Sequence, residues 1–421
     1  MILPPSPPNF CVRIDLPASK SLSNRWLALR ASAGQNMAIH NLSKAEDTKL
    51  MQELLGQISQ AKSSTNVVEI HCKNAGTVLR FLTAYLSVTP GKWIVTGDER
   101  LSARPIADLV DALKHLGADI LYLNQPKQLP LVITGTPLFS HNHVKLNMEK
   151  SSQFASALML MMAKFPNGLH IDFEGKIISK PYVEMTAQIL EQCGVEIVER
   201  SEKSMVLRGA PKCPNEVFIE SDWTAASYFY AFVALSENGM IELDNLYKHS
   251  LQGDSILPEW FERLGVETIF TPTKVVLKKM AKPFLSEWTL DFTDHPDLAQ
   301  TMAVTCAALN IPAHLSGLSS LRDKETDRLQ ALSQELHQIG AKHIVERDSL
   351  ILYKHGELDL SKPIKTYGDH RMAMAFSIFS ALYSGVKILH PEVVNKSFPD
   401  FWNQINQLKK IQTKKTMHYE I

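Results

Sequence analysis

Residues 322–328 read Arg-Asp-Lys-Glu-Thr-Asp-Arg and place three cations and three carboxylates within one short segment. The sequence predicts a helix that begins here and continues to Gly340. On such a helix Lys324 and Arg328 are four residues apart, and Glu325 lies three residues before Arg328, so all three share one face. That combination suits an anionic substrate on which a proton must be moved. Ordinary surface ion pairs would produce the same pattern, so the interpretation depends on the rest of the chain.

Polar and basic side chains also stand at the start of several apolar segments. A helix N-terminus carries unpaired N–H groups and a partial positive charge, so it favours phosphate or carboxylate. The alternatives are local: Arg104 and Lys180 could be surface residues before a proline, Ser151 and Ser152 a helix cap, and His370 a core histidine. The residues at these starts are Lys20, Ser21, Asn24, Arg25, Asn74, Gly76, Thr77, Arg80, Ser151, Ser152, Gln153, His370 and Arg371, with Arg104, Lys180 and Lys324 before the intervening helices.

Two carboxylates are candidates for proton transfer. Asp297 lies in the predicted first turn of an apolar helix, where it would be partly buried. Glu325 lies between Lys324 and Arg328. One carboxylate in such a place could accept a proton from a hydroxyl, and a second acidic group could give a proton to carbon. Helix capping is the alternative role for Asp297, and it is the role that we expect for Asp369.

The elements that would position these groups repeat along the chain. Six nearly all-apolar helical segments have polar starts, and the spacings between their markers are 52, 76, 72, 72 and 74 residues. Helices that are apolar all round are buried, so sheets are expected on the outside. A doubly wound sheet is the alternative, although its helices would normally have a polar face. The markers are Asn24, Gly76, Ser152, Thr224, Pro296 and His370.

A second class of helix alternates with the first and is amphipathic. Its members end at Gly117, Gly194, Gly265 and Gly340, with Gly56 as a weaker fifth case, because glycine suits a left-handed C-cap. The six helical segments would belong to six repeated units, and three units would form each of two domains. A boundary near residues 220–222 would separate three units from three, so we predict an α/β protein with two domains and an active site between them.

Composition restricts the class of protein. The 421 residues include 44 basic and 44 acidic side chains, so no global field favours nucleic acid or an anionic membrane. The basic run at 409–415 is expected to be a solvated tail. Five scattered cysteines without Cys-x-x-Cys spacing argue against disulfides or a zinc site, and no apolar run is long enough to span a bilayer. We therefore expect a cytoplasmic protein.

Taken together, the motifs resemble the EPSP synthase family, the 3-phosphoshikimate 1-carboxyvinyltransferases, over essentially the whole chain. The resemblance implies two inverse α/β domains, each of three repeated units with buried helices and outer sheets, that close on the substrates. With it we expect an N-terminal domain over 17–221, a C-terminal domain over 1–16 and 222–421, and the active site in the cleft between them. The stretches that carry it are 16–25 (LPASKSLSNR), 74–80 (NAGTVLR), 104–106 (RPI), 151–154 (SSQF), 179–182 (SKPY), 296–297 (PD), 324–328 (KETDR), 369–374 (DHRMAM) and 396–400 (KSFPD).

The resemblance also implies roles for individual residues. The group expected to bind shikimate 3-phosphate is Lys20, Ser21, Arg25, Ser151, Ser152, Gln153, Ser179, Tyr182, Asp297, Ser320 and Lys324. The group expected around phosphoenolpyruvate is Lys20, Asn74, Gly76, Thr77, Arg104, Gln153, Glu325, Arg328, His370, Arg371 and Lys396. The implied reaction transfers the enolpyruvyl group to the 5-hydroxyl of shikimate 3-phosphate. Asp297 takes the hydroxyl proton and Glu325 protonates C3, with Lys20 as the competing proton carrier. We expect a monomer that needs no cofactor or metal, because cations neutralise the developing charge.

The sequence departs from the family pattern at Phe81, where proline is common, at Ala18, where glycine is usual, and at Ser320, where asparagine often helps to hold the shikimate ring. We still expect inhibition by glyphosate, because Gly76 lacks a methyl group that would crowd the inhibitor. One rival is the sister transferase for UDP-N-acetylglucosamine, but residues 99–106 lack the reactive cysteine of that family. The other is a non-catalytic phosphometabolite-binding protein, which would be expected to have lost a clamp arginine or a proton-handling residue.

Overall fold

Buried and amphipathic helices alternate along the chain, as the periodicity predicts. The computed structural model describes residues 1–61, 66–280 and 285–408. The α-helices are α1 Lys20–Ala33, α2 Glu46–Ala61, α3 Gly76–Ser87, α4 Glu99–Ser102, α5 Ala107–His115, α6 Gln153–Met159, α7 Lys180–Gln192, α8 Trp223–Leu235, α9 Leu257–Glu262, α10 Ala299–Ala308, α11 Arg328–Gln338, α12 His370–Ser377 and α13 Phe401–Gln407. Short 3-10 helices occupy Met162–Lys164, Gly253–Ile256, Pro296–Leu298, Ser319–Asp323, Ile378–Ala381 and Pro391–Lys396.

The strands are short and separated by these helices. They are β1 Ile2–Leu3, β2 Asn9–Ile14, β3 Ala38–His40, β4 Val67–His71, β5 Gly91–Thr96, β6 Asp119–Tyr122, β7 Leu131–Gly135, β8 His143–Asn147, β9 Leu169–Glu174, β10 Glu196–Arg200, β11 Ser204–Arg208, β12 Glu216–Phe218, β13 Asn238–Asp244, β14 Val266–Phe270, β15 Lys274–Lys279, β16 Trp288–Asp291, β17 Ala313–Ser316, β18 His343–Val345, β19 Leu350–Leu352 and β20 Val386–Lys387.

Four of the sheets have the same internal order. Their strand orders are β4-β5-β7-β6, β8-β9-β11-β10, β2-β13-β15-β14 and β16-β17-β19-β18. In each sheet the first two strands are parallel and the remaining pairs are antiparallel. A buried helix precedes the second strand of each parallel pair, and an amphipathic helix precedes the final hairpin. Two smaller sheets pair β3 with β12 and β1 with β20. The predicted fold class, with repeated inverse α/β units, is confirmed.

The inner helices are buried because they carry apolar side chains on every face. All of α12 is buried, and in α8 every residue except Thr224 is buried. Helix α11 shows the other pattern, with its apolar positions buried and Gln330 and Gln334 exposed. Since a helix covered on all sides must lie between sheets or other helices, the inner helices form the centre of each unit and the sheets its outer layer.

The apolar core divides into two clusters. One contains buried side chains from Ala18 to Ile219, and the other joins Leu3–Ile14 side chains to those from Trp223 to Leu408. The parallel pairing of β2 with β13 explains why the first residues join the second cluster. On this division we propose the domain limits 17–221 and 1–16 with 222–421. Residues 409–421, including the basic run at 409–415, lie outside the described part.

Two local predictions were wrong. The helix predicted from residue 322 begins only at Arg328, because Asp327 caps it by accepting from the Gln330 N–H at 2.9 Å, and Lys324 is extended. Lys324, Glu325 and Arg328 therefore meet through a turn and not along a helix face. Gly56 is not a C-cap, since α2 runs through it to Ala61. The four other predicted stop glycines do have positive φ values, as expected for left-handed caps.

Candidate active site

The polar helix starts converge on one cleft between the two clusters. It encloses about 1040 Å³ of empty space. Its lining includes all but two of the predicted site residues, namely Lys20, Ser21, Arg25, Gly76, Thr77, Arg104, Ser151, Ser152, Gln153, Ser179, Tyr182, Asp297, Ser320, Lys324, Glu325, Arg328, His370 and Arg371. The other two, Asn74 and Lys396, line the neighbouring cavity, where the Lys396 ammonium donates to the Asn74 carbonyl oxygen at 2.7 Å.

The cleft is locally cationic although the whole chain is neutral. Among the described residues that line it, seven are lysines or arginines and four are aspartates or glutamates. Because the walls exclude much of the solvent, these charges act at a lower effective dielectric than surface charges do. A small, highly anionic molecule is therefore the class of ligand that this cleft would select.

Arg328 is the centre of the charge network. Its side chain is only 2% exposed, and its three nitrogens reach three different carboxylates. Nε donates to Asp369 Oδ2 at 2.6 Å, Nη1 to Asp297 Oδ1 at 3.0 Å, and Nη2 to Glu325 Oε2 at 2.8 Å. Asp369 also accepts from the Arg371 N–H at 2.7 Å, so it is the N-cap of α12 that we predicted and, in addition, the anchor of Arg328.

Asp297 faces cations and not a helix end, which removes the capping alternative. Its Oδ2 lies 2.7 Å from Arg371 Nη2 and accepts from the Tyr182 hydroxyl at 3.3 Å, while Lys324 Nζ is 4.0 Å from Oδ1. Burial alone would raise the pKa of Asp297, but Arg371 and Lys324 outweigh burial and hold the pKa well below its usual range. In this arrangement the group is a carboxylate.

Glu325 is held by cations from both clusters. Besides Arg328, it has Arg104 Nη1 and Lys396 Nζ each 3.9 Å from Oε1. Burial would raise the pKa of Glu325, but Arg328 and Arg104 are the strongest of the cations that hold the pKa well below its usual range. It too is ionised here, so any role as an acid requires a change in its surroundings.

Asp47 belongs to the site and was missed in the sequence. It bridges the Lys20 ammonium, 3.0 Å from Oδ2, and the Lys396 ammonium, 3.1 Å from Oδ1. Burial acts to raise the pKa of Asp47, but Lys20 and Lys396 outweigh it and lower the pKa. The pair of lysines is thereby fixed at the edge of the cleft. Asp47 stands in the first turn of an amphipathic helix, where acidic residues are common, so its type and position gave no signal.

Arg25 is packed rigidly into the N-terminal wall. Its guanidinium donates to the Thr186 hydroxyl at 2.8 Å, the Tyr182 carbonyl at 3.0 Å and the Ser156 hydroxyl at 3.2 Å. The charge also lies 5.6 Å from the centroid of Phe81, the residue at the unusual position noted in the sequence. Helix α3 runs unbroken through Phe81.

A second arginine of that wall orients an amide toward the cleft. Arg80 Nη1 donates to Gln153 Oε1 at 2.7 Å, and Gln153 Nε2 donates to the Thr77 hydroxyl at 3.1 Å. Ser151 accepts from the Gln153 N–H at 3.2 Å, so it has a capping role as well as a place in the cleft. The same wall contains Ser179, which adopts the left-handed region at φ 55° immediately before α7.

Gly76 and Arg104 are in direct contact. A methyl group at Gly76 would lie 2.7 Å from the Arg104 guanidinium carbon, closer than real side chains approach. The absence of a side chain at Gly76 therefore lets Arg104 occupy its buried position. Among the described residues, Nε and Nη1 of Arg104 and Nε of Arg371 have no hydrogen-bond partner. Buried donors without partners are costly, so these groups are suited to receive an anion.

His370 is neutral in this setting. Burial and the neighbouring guanidinium of Arg371 hold the pKa of His370 well below its usual range, and neither ring nitrogen has a hydrogen-bond partner in the described part of the chain. Burial also lowers the pKa of Lys324 to about 8, and the attraction of Asp297 offsets only part of that effect. Lys324 is therefore a cation that can lose its charge near neutral pH.

Arg100 connects the two sides of the cleft and was also missed in the sequence. From α4 its guanidinium donates to carbonyl oxygens across the cleft, 2.9 and 3.1 Å from Lys324 O, 3.2 Å from Glu325 O and 3.1 Å from Arg322 O. This fixes the backbone of the segment that presents Lys324 and Glu325. Lys180, in contrast, is at the surface and pairs with Glu202, as its alternative interpretation proposed.

The chain is similar to known proteins along nearly its whole length. A family model described as EPSP synthase (3-phosphoshikimate 1-carboxyvinyltransferase) matches residues 9–405. A 3-phosphoshikimate 1-carboxyvinyltransferase of Bacteroides fragilis is 41% identical over 404 residues, which cover 96% of each chain. The protein of the same name from Shewanella pealeana is 34% identical over 415 residues, covering 94% of this chain and 96% of its own.

Two solved structures share the fold at low sequence identity. The EPSP synthase of Acinetobacter baumannii superposes with a TM-score of 0.72 at 18% identity, over 97% of this chain and 98% of that one. The enolpyruvyl transferase NikO of Streptomyces tendae gives a TM-score of 0.70 at 15% identity, over 97% of both chains. At these identities the likeness concerns architecture alone. It agrees with the repeated inverse α/β units described above.

Proposed function

The chain belongs to the EPSP synthase family, and from that premise we propose that it transfers the enolpyruvyl group of phosphoenolpyruvate to the 5-hydroxyl of shikimate 3-phosphate. The products are 5-enolpyruvylshikimate 3-phosphate and inorganic phosphate. The reaction is a step of the shikimate pathway, toward chorismate and the aromatic amino acids. The observation that carries the proposal is the junction of Asp297 and Glu325 through Arg328, because one guanidinium holds both candidate proton carriers in a cationic cleft.

Shikimate 3-phosphate is assigned to the part of the cleft nearer α6 and α7. Hydroxyls, an amide and cations converge there, which is the set of donors that a phosphate and a ring of hydroxyls require. Tyr182 also approaches Asp297, so the wall that would hold the sugar-like ring lies beside the proposed base. The assigned residues are Lys20, Ser21, Arg25, Ser151, Ser152, Gln153, Ser179, Tyr182, Asp297, Ser320 and Lys324.

Phosphoenolpyruvate is assigned to the cations around Glu325. Arginine forks suit its carboxylate and phosphate, and Arg104 and Arg371 have donors still to be satisfied. Lys20 and Lys396, joined by Asp47, add two ammonium groups at the same edge. The assigned residues are Lys20, Asn74, Gly76, Thr77, Arg104, Gln153, Glu325, Arg328, His370, Arg371 and Lys396.

Substrate binding would itself activate Asp297. In the structure Arg328 and Arg371 pair with Asp297 and make it a weak base. The carboxylate and phosphate of phosphoenolpyruvate compete for the same guanidinium groups. As those cations turn toward the substrate, the pKa of Asp297 rises, and the carboxylate becomes able to accept the 5-hydroxyl proton.

The same competition governs the proton at C3. Arg104, Arg328 and Lys396 hold Glu325 ionised until an anionic substrate draws them away, after which Glu325 can carry a proton to C3. Lys20 remains the competing carrier, since its side-chain nitrogen lies at the cleft edge beside Asp47. Attack of the hydroxyl oxygen on C2 with protonation of C3 gives a tetrahedral adduct. Loss of phosphate from C2 and of a proton from C3 then restores the enol ether.

Specificity for the acceptor separates this proposal from its rivals. Among the described residues that line the cleft there is no cysteine, whereas the sister UDP-N-acetylglucosamine transferases are expected to place one in the loop corresponding to 99–106. A protein that only bound phosphometabolites would not require Asp297 and Glu325 on one buried arginine.

We further propose that the enzyme acts as a cytoplasmic monomer. None of the helices in 1–61, 66–280 and 285–408 has both the length and the apolar character of a membrane span.

Phosphate release from phosphoenolpyruvate tests the proposal. The purified protein should release phosphate with shikimate 3-phosphate and not with UDP-N-acetylglucosamine. Asp297→Asn should lower the rate by at least about two orders of magnitude, the usual contribution of a general base. Arg200→Ala is the matched control, because Arg200 lies outside the cleft and pairs with Glu184 and Glu191. Release with the nucleotide sugar alone would assign the chain to the sister reaction, and no release with either acceptor would reject catalysis.

A further inference from the structure

A cluster of metal-ligating side chains lies outside the cleft, on the outer face of the sheet β8-β9-β11-β10. His143 on β8 and His170 on β9 are direct partners in the parallel pair, and Asp172 follows on the same face two residues later. His143 Nε2 lies 2.8 Å from Asp172 Oδ2, and His170 Nε2 lies 3.0 Å from Asp172 Oδ1. The imidazole rings stack with their centroids 4.3 Å apart. Three ligand atoms therefore meet within 4.8 Å of one another.

We propose that His143, His170 and Asp172 form a surface site for a divalent cation of the zinc class. Imidazole nitrogen and carboxylate oxygen are ligands that zinc prefers in proteins. A tetrahedral ion about 2.0–2.1 Å from each ligand atom holds those atoms about 3.3 Å apart. The two imidazole nitrogens now contact different oxygens of Asp172, at 2.8 and 3.0 Å, so these separations would widen by up to about half an ångström. The two imidazole nitrogens, which lie within 4.8 Å of each other, would move to about 3.3 Å, and water would fill the fourth position. The ion would displace the protons that the imidazoles now share with Asp172.

The backbone already provides the spacing that this site needs. β9 is hydrogen-bonded to β8 on one side and to β11 on the other, so the Cα positions of the ligands are fixed by the sheet. Lys145, two residues after His143 on the same face, is paired with Glu174 at 3.7 Å, so its charge is already compensated. With Asp172 ionised, the local charge favours a cation. Binding would therefore require side-chain adjustment and no rearrangement of the strands.

The site is structural in its expected effect and not catalytic. His143 begins β8, and His170 and Asp172 are the second and fourth residues of β9, whereas the carboxyl ends of these strands lead to Ser151 and Ser179 in the cleft. A bound ion would tie the two strands together at the end away from the substrates. At an ion concentration about a hundredfold above the dissociation constant, the linkage predicts a rise in Tm of about 3–5 °C with no change in kcat.

Titration of the metal-free full chain with zinc chloride by calorimetry tests the proposal. We expect one equivalent to bind with a dissociation constant on the order of micromolar. His143→Gln and Asp172→Asn should each weaken binding at least about tenfold, which at the same ion concentration lowers the rise in Tm by about half or more. Cobalt should bind at the same site and give the visible absorption of a tetrahedral ion, which an ion pair alone would not produce.

The matched control is His115→Gln. His115 and His141 form another exposed histidine pair in the proposed N-terminal domain, with ring centroids 6.5 Å apart. This variant should bind zinc like the parent. No saturable binding below about 1 mM, unchanged affinity in His143→Gln and Asp172→Asn, or an equal loss in His115→Gln would each overturn the proposal. If His143→Gln does not fold, His170→Gln tests the same ligand set, and unchanged phosphate release verifies that a variant is intact.

Discussion

Arg100→Ala tests whether the cleft depends on the connection between its two sides. The side chain is half-buried, and two of its nitrogens contact three carbonyl oxygens across the cleft. A hydrogen bond from a charged donor contributes about 1.5–3 kcal/mol, and water will replace part of that at a half-buried site. We therefore expect Arg100→Ala to weaken the connection across the cleft by about 2–3 kcal/mol. If the transition state requires that connection, kcat/KM falls by about 30- to 150-fold. The loss should affect both substrates, because the segment held by Arg100 presents both Lys324 and Glu325.

The assay is steady-state kinetics at low concentration of each substrate, combined with the Tm and the radius of gyration of each variant. Arg100→Lys keeps one cationic donor and should recover part of the activity, to within about tenfold of the parent. Arg200→Ala should leave the kinetics unchanged, since its ion pairs lie within one cluster. The Tm of Arg100→Ala should change little, because Arg100 contributes nothing to either apolar core.

Two results would refute this reasoning. If Arg100→Ala kept kcat/KM within about threefold of the parent, the hydrogen bonds of Arg100 across the cleft would not be needed for activity. If the loss of activity came with a large fall in Tm, the role of Arg100 would be structural. A larger radius of gyration with an unchanged Tm would support an opened cleft.

Four further predictions concern single sites. Lys324 keeps its charge below its pKa of about 8 and loses it as the pH rises, so kcat/KM for shikimate 3-phosphate should fall above about pH 8. Lys324→Arg should flatten this pH profile. The same fall in kcat/KM in the variant would contradict the binding role given to Lys324. Gly76→Ala should raise KM for phosphoenolpyruvate about tenfold or more by displacing Arg104, with little change in KM for shikimate 3-phosphate. The same KM for phosphoenolpyruvate in the variant and the parent would show that Arg104 can move away from the added methyl group without cost. The parent enzyme should be inhibited by glyphosate, and uninhibited turnover at saturating inhibitor would refute the role given to Gly76. Phe229→Ala should lower the free energy of unfolding by about 3–5 kcal/mol in denaturant titration, because its ring is fully buried against Phe398 and Phe401; a loss below about 1 kcal/mol would show that this core refills.

The repeat and the helix starts could be predicted because their signals are local. An apolar segment such as α8 must be buried wherever it lies, and a polar start such as Asp222 at α8 or Asp369 at α12 caps the helix that follows it. The four stop glycines likewise reflect a backbone conformation that few other residues tolerate. These features depend on neighbouring residues only, so the sequence contains them directly.

The remaining features depend on residues far apart in the chain. Asp47 gains its role from Lys396, 349 residues away, and Arg100 gains its role from carbonyl oxygens on the segment that begins at Arg322. The sequence contains no periodicity or spacing that relates such positions. The error at 322–328 has the opposite cause, because the local i,i+4 pattern fitted a helix. The side chain of Asp327 instead caps α11, which therefore begins at Arg328 and leaves Lys324 outside it.

Turnover of [3-¹³C]phosphoenolpyruvate with shikimate 3-phosphate in D₂O, followed by ¹³C and ³¹P NMR, tests the central claim most directly. Protonation of C3 followed by loss of a proton should give an enol ether that carries deuterium in its methylene group, with one inorganic phosphate released for each product formed. Asp297→Asn should slow product formation and deuterium incorporation together. Formation of free pyruvate, or an enol ether without deuterium, would contradict the account.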